Sequence, residues 1–295
     1  MASGIRGARL LALLFVVGLV TAACSSGSSS TLPARATVSG SQVSTSTIRP
    51  IPTTTVPIKL VSPREIEVSP LYSQGVARVD AGWVFSGTFT IARVDEKLRI
   101  QRIVNGPIPK AWAAKGYNHV GDIDVVGDVI YAPFEQPNYA LGHQATARFD
   151  LATLAFIDAV TMPQHENSFV TVDPATMMLY SMDRFDGNAL LRYEMTSDNK
   201  WRPLAPLRMN QTAKRVQGGD IAMGAIWLST DDNRKGIYRV DLTTGATTFV
   251  GSMHHLGAKN EGEGIDATQL PSGLLHTIMI AGTFAPVLLQ HFQTL

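Results

Sequence analysis

Histidines and carboxylates recur in this chain at one place in a repeating pattern. Ser73, His119, His165, Gln217 and Glu261 each stand four residues before an apolar residue (Ala77, Ile123, Phe169, Ile221, Ile265) that lies in a strand-like run. A second column, three residues after the first, holds Val76, Asp122, Ser168, Asp220 and Gly264, with Glu166 and Glu263 between the two. Brought together, His119, Asp122, His165, Glu166, Gln217, Asp220, Glu261 and Glu263 would form a ring able to bind a sugar, a phosphorylated small molecule or a divalent metal. Histidines with carboxylates suit zinc or another transition metal, whereas carboxylates with Ser and Gln suit calcium. Carboxylates from separate repeats, such as Asp122, Asp220 and Glu263, are also the tools of glycoside cleavage. The competing account is architectural, with inner Asp and Gly residues bonding the backbone of a neighbouring unit. Burying several carboxylates without partner or ligand is costly, so the whole set needs one explanation or the other.

No other motif adds chemistry. The chain contains no nucleophile–base signature and no short-range metal-ligand spacing, and no cofactor is implied beyond the divalent metal already weighed. His254-His255 reads as a surface turn, Asp231-Asp232-Asn233 as a fragment of a calcium loop, and Asn210-Gln211-Thr212 as a formal sequon.

The elements that would position the ring are strands. Runs such as Asp122–Val126, Val129–Pro133, Ala145–Asp150, Ile226–Thr230 and Gly236–Leu242 are separated by Gly-Asp, Asp-Pro-Ala-Thr and Thr-Thr-Gly turns. Only Pro109–Gly116 reads as a helical turn. Each polar start is followed by a second strand: Trp83-Val-Phe-Ser, Val129-Ile-Tyr-Ala, Met178-Leu-Tyr-Ser, Ile226-Trp-Leu-Ser and Leu274-Leu-His-Thr. The starts lie 46, 46, 52 and 44 residues apart. That period marks an all-β propeller, whose blades take about 40–50 residues each. Five blades of four antiparallel strands are expected. The fifth repeat runs out of chain before its fourth strand, and Ile58–Val68 is the strand left over. The expected closure therefore completes the last blade with the N-terminal strand, which removes an open sheet edge. Six blades is the alternative count, and a β-sandwich would explain the strands but not their regular recurrence.

The N-terminal segment sets the compartment. Arg6 and Arg9 precede the eleven residues Leu10–Val20, which are nearly all apolar, and Ala22-Ala23 follow. This is an export signal, too short for a bilayer span of about 20 residues. The stretch Val20-Thr21-Ala22-Ala23-Cys24 resembles the lipobox of bacterial lipoproteins, with Thr21 where that family usually has Leu. The resemblance implies cleavage after residue 23 and a diacylglyceryl and palmitoyl anchor on Cys24. Cys24 is the only cysteine, so it has no intramolecular disulfide partner. Residues 24–57, rich in Ser, Thr and Pro, read as a disordered tether, and residues 58–295 as the propeller domain.

Without residues 1–23 the chain carries 23 basic and 24 acidic side chains, a formal charge of −1. That balance provides no electrostatic footprint for nucleic acid. The expected partners are the membrane, reached through the lipid, and a small-molecule or carbohydrate ligand, with the protein a monomer outside the cytoplasm.

Tyr117-Asn-His-Val-Gly-Asp-Ile-Asp, Val216-Gln-Gly-Gly-Asp and Glu261-Gly-Glu-Gly-Ile resemble motifs of a group of secreted bacterial and fungal five-bladed propeller proteins. The resemblance spans most of residues 70–292 and implies the fold. Five-bladed propellers also include arabinan-degrading glycosidases and calcium-dependent nucleotidases, but their motifs do not match here, so no catalytic residue is carried over. The expected function is ligand binding at the mouth of the propeller, with a propeller hydrolase or a protein-interaction scaffold as alternatives.

Overall fold

The computed structural model describes residues 58–184, 187–282 and 286–295. The expected signal segment, Cys24 and the expected tether up to residue 57 lie outside the described residues. The remainder is a five-bladed β-propeller of antiparallel sheets. Strand β1 (Arg64–Val68) comes first, and the first blade follows with β2 (Gly75–Val79), β3 (Gly82–Gly87), β4 (Thr90–Val94) and β5 (Ile100–Asn105). The second blade has an innermost strand interrupted between β6 (His119–Val120) and β7 (Asp124–Val126), then β8 (Val129–Glu135), β9 (Gln144–Asp150) and β10 (Phe156–Met162). The third contains β11 (Thr171–Val172), β12 (Leu179–Ser181), β13 (Ala189–Met195), β14 (Trp201–Pro203) and the short β15 (Leu207–Arg208). The fourth is β16 (Val216–Ala222), β17 (Ala225–Thr230), β18 (Gly236–Asp241) and β19 (Thr247–Ser252). The fifth supplies β20 (Glu261–Asp266), β21 (Leu274–Ile280) and β22 (Val287–Gln293).

The fifth blade is closed by β1, which pairs with β22 in a register running from Arg64↔His291 to Val68↔Val287. Two further bonds between Lys59 and Leu295, at 3.0 and 2.9 Å, extend that closure to the C-terminus. Five sheets exclude the six-blade count. The helical turn expected near Pro109 is the single turn α1, Lys110–Ala113.

The core is divided among the joints between blades. Trp83 and Phe85 of β3 pack with Ile278, Val287 and Leu289 of the fifth blade. Val84, between them, points the other way, into a cluster with Ile130, Phe134 and Phe149 of the second. Alternation along a strand thus serves two neighbours at once, which is why the second strands read as unbroken apolar runs. The outermost strand β5 is largely exposed.

Candidate functional site

The beginnings of the inner strands surround a polar cavity of about 220 Å³. Gln74 reaches it from the first blade, His119, Glu135 and Tyr139 from the second, and Ser168 and Arg184 from the third. Gln217 completes the wall from the fourth blade, and Glu261 and Glu263 from the fifth. Four of the eight residues expected at the mouth therefore line it: His119, Gln217, Glu261 and Glu263. In the first blade the lining residue is Gln74, one position past Ser73.

His119 is neutral. Burial and the charge of Arg184 push its imidazole down to about 4, so its Nε2–H donates to Oε1 of Gln74 at 2.7 Å. Glu135 is 7% exposed, accepts from the Asn167 N–H at 3.3 Å and is hydrogen-bonded to Tyr139. Burial raises its pKa and the Arg184 guanidinium partly restrains the rise. Glu263, 3% exposed, is driven well above the usual carboxylate range by burial and by the neighbouring Glu261, with which it shares a hydrogen bond. Its backbone carbonyl accepts from the Ser229 hydroxyl, which fixes β20 against the fourth blade.

His165 and Glu166 flank this cavity without lining it. His165 donates from Nδ1 to the Tyr139 carbonyl at 2.8 Å, and the carboxylate of Asp183 accepts both their backbone N–H groups at 3.1 Å. The charge of Glu166 raises the pKa of both Glu135 and Tyr139.

Asp122 and Asp220 do not share the cavity. Asp122 is 1% exposed, and its carboxylate accepts from the backbone N–H of Val76, Ile123, Gly219 and Ile265 at 3.1–3.2 Å. Its own N–H donates to the Ser168 carbonyl at 2.8 Å, so this one residue touches all five blades. Asp220 belongs to a different layer. Its Oδ2 accepts from Ala267 N–H at 2.6 Å, as Asp124 accepts from Val172 and Asp266 from Arg78, both at 2.7 Å. Each of these three aspartates bonds the inner strand of the next blade. The second sequence column thus mixed two layers, and the trio Asp122, Asp220 and Glu263 is not assembled around an open cleft.

Asp231, in the calcium-loop fragment, is spent on Arg215 and on Lys235 Nζ, the latter at 2.5 Å. His254 and His255 lie 3.4 and 3.0 Å from Glu65 on the closing strand. Among the described residues no three His, Cys, Asp or Glu side chains gather closely enough to hold a metal ion.

The sequence repeats do not mark Gln74, Glu135, Tyr139 or Arg184. Glu135 ends β8, Tyr139 follows it in a 3-10 turn and Arg184 follows β12, so three of the four come from outside the inner strands. The repeat pattern marks the inner strands and is silent about the ends of the second strands and the loops after them.

No protein-family model matches the chain, and no curated protein matches it. Among solved structures, it is similar to Myxococcus xanthus glutaminyl cyclase, at 13% identity and a TM-score of 0.56, over 81% of this chain and 97% of that one. A weaker likeness to Kuenenia stuttgartiensis hydrazine synthase, at 9% identity and a TM-score of 0.44, covers 72% of this chain and 57% of that one. At these identities the first likeness is one of fold.

Proposed function

We propose that this propeller is an extracytoplasmic lipoprotein, anchored to the membrane through Cys24, that binds a small donor-rich ligand in its mouth. The observation that carries the binding reading is the imbalance of the cavity. Glu135, Glu261, Glu263 and Gln217 present acceptors around a single guanidinium, Arg184. A sugar hydroxyl or an amine satisfies such a wall, and a polyanion does not. Calorimetry of the purified chain against cell-envelope sugars and small amines tests it. Saturable binding that is lost in Glu263→Gln supports the reading, and a mouth indifferent to every member of both classes refutes it.

Catalysis in the same mouth is the second reading. Glu263, whose pKa burial raises and which is hydrogen-bonded to Glu261, has the character of a general acid. The likeness of fold to a glutaminyl cyclase makes peptides with N-terminal glutamine the first substrates to try. Release of ammonia from such a peptide, abolished in Glu263→Gln, would favour this reading. An inert peptide leaves ligand binding as the better account.

A further inference from the structure

A second concavity, of about 250 Å³, opens between the first and fifth blades and shares no residue with the mouth. Its polar wall follows from strand register. Asp266, His276, His291 and Arg64 are successive neighbours across β20, β21, β22 and β1, and the last three line the cleft. Trp83 of the first blade meets both imidazoles edge-on, with ring centroids 4.8 and 5.7 Å away. Ile66, Leu98, Leu274 and Leu289 supply an apolar wall.

The hydrogen bonds fix which nitrogen is available. His276 Nε2–H donates to Oε1 of Gln269 at 2.8 Å, which leaves its Nδ1 as an acceptor. The 2.8 Å contact between the two Nδ1 atoms then places the proton on His291 Nδ1. Nε2 of His291 is left with a lone pair and can take a proton without breaking the pair. Of the two guanidiniums lining the cleft, Arg78 is committed to Glu96 at 2.7 Å, to the Gly82 carbonyl at 3.2 Å and to the face of Trp83 at 4.8 Å. Arg64 is exposed, and among the described residues no carboxylate pairs with it.

We propose that this cleft is a second binding site, for a small carboxylate bearing a short apolar tail. The carboxylate lies between Arg64 and Nε2 of His291, and the tail lies against Ile66, Leu98 and Leu289. Direct cross-strand neighbours sit about 5 Å apart at Cβ, so guanidinium and imidazole can reach one carboxylate together. Apolar walls with a few convergent polar groups are what small-molecule sites share. Burial, then the charges of Arg64 and Arg78, hold His291 below its ordinary pKa. An anion seated beside it reverses that influence, so binding draws a proton onto Nε2 and strengthens as the pH falls. Glu96, the lining carboxylate, faces Arg78 rather than His291. The site stands independently of the mouth.

Hexanoate is the probe, titrated into the purified full chain and followed by tryptophan fluorescence and NMR. Acetate lacks the tail and 1-hexanol lacks the charge. Saturable hexanoate binding is expected, tighter near pH 5.5 than near pH 8, with both controls at least tenfold weaker. Arg64→Gln, at an exposed position, should weaken hexanoate at least tenfold. His291→Gln should flatten the pH dependence, and Glu263→Gln at the mouth should change nothing. Hexanoate that never saturates, that binds Arg64→Gln as well as the parent, or that binds no better than hexanol overturns the proposal.

Discussion

A Cβ on Gly264 would lie 2.5 Å from Oδ1 of Asp122 and 2.6 Å from the Cα of Gly75. The same carboxylate would meet a Cβ on Gly75 at 2.6 Å and one on Gly218 at 2.5 Å. These glycines let three blades approach a single buried acceptor closely enough to donate their N–H groups to it. Neither a backbone Cα nor a carboxylate held by four such donors can move aside cheaply.

Gly264→Ala should therefore destabilise the domain by about 3 kcal/mol or more, the range of overpacking and of broken buried networks. Gly127→Ala is the control. A Cβ there meets nothing within 4 Å, and the cost is only that of a positive φ of 59°, about 1 kcal/mol. Equal denaturation midpoints for the two variants would show that the centre is looser than these distances require.

Asp220 and Glu263 are both buried carboxyls but should respond in opposite ways. Asp220→Ala strands the Ala267 N–H and should cost about 1–3 kcal/mol, leaving affinity for a mouth ligand unchanged. Glu263→Gln removes a carboxyl whose charged form burial already disfavours, so thermal stability should hold or rise while mouth binding is lost. A ligand affinity that follows Asp220 instead would move the site to the layer of inter-blade aspartates.

Acid should act through His276. It is 1% exposed, and burial, then His291 and Arg78, push its pKa down from 6.5 to about 3. Between those values the unfolded chain takes up a proton that the folded domain refuses. The stability tied to this group is complete above pH 6.5 and drains away as the pH falls toward 3. By pH 4 the parent should have lost about 3 kcal/mol more than His276→Gln, compared with their difference at pH 7. Parallel curves from urea titrations at each pH would mean that the imidazole titrates freely in the folded state.

Cys24→Ser tests the anchor. Two acyl chains, each contributing about 0.8 kcal/mol per buried methylene, suffice for stable attachment without basic residues. The parent should partition into detergent, and the variant should be released as a folded domain or accumulate as unprocessed precursor. Parent protein recovered free, with Cys24 titrating as a thiol, would remove the lipid from this account.

The sequence by itself determined the propeller, its blade count and its closure by the N-terminal strand. Those properties follow from starts 44 to 52 residues apart and from unpaired strands at the two ends, both readable along one dimension. It also marked His119, Gln217, Glu261 and Glu263, because inner-strand starts must converge in any propeller. Only the tertiary structure separated the residues that face the cavity from those beneath it. Asp122 and Asp220 look alike in a repeat alignment, yet counted from the hairpin turns Asp220 matches Asp124, each two residues before the last pair of its hairpin, and Asp122 lies two residues further from the turn. Glu135 reaches the mouth from the end of a second strand, and Tyr139 and Arg184 from the loops that follow such strands, where no shared spacing marks them. The cleft of Arg64, His276 and His291 joins the two ends of the domain sequence. Its residues become neighbours only through the register of β1 on β22, which local pattern does not encode.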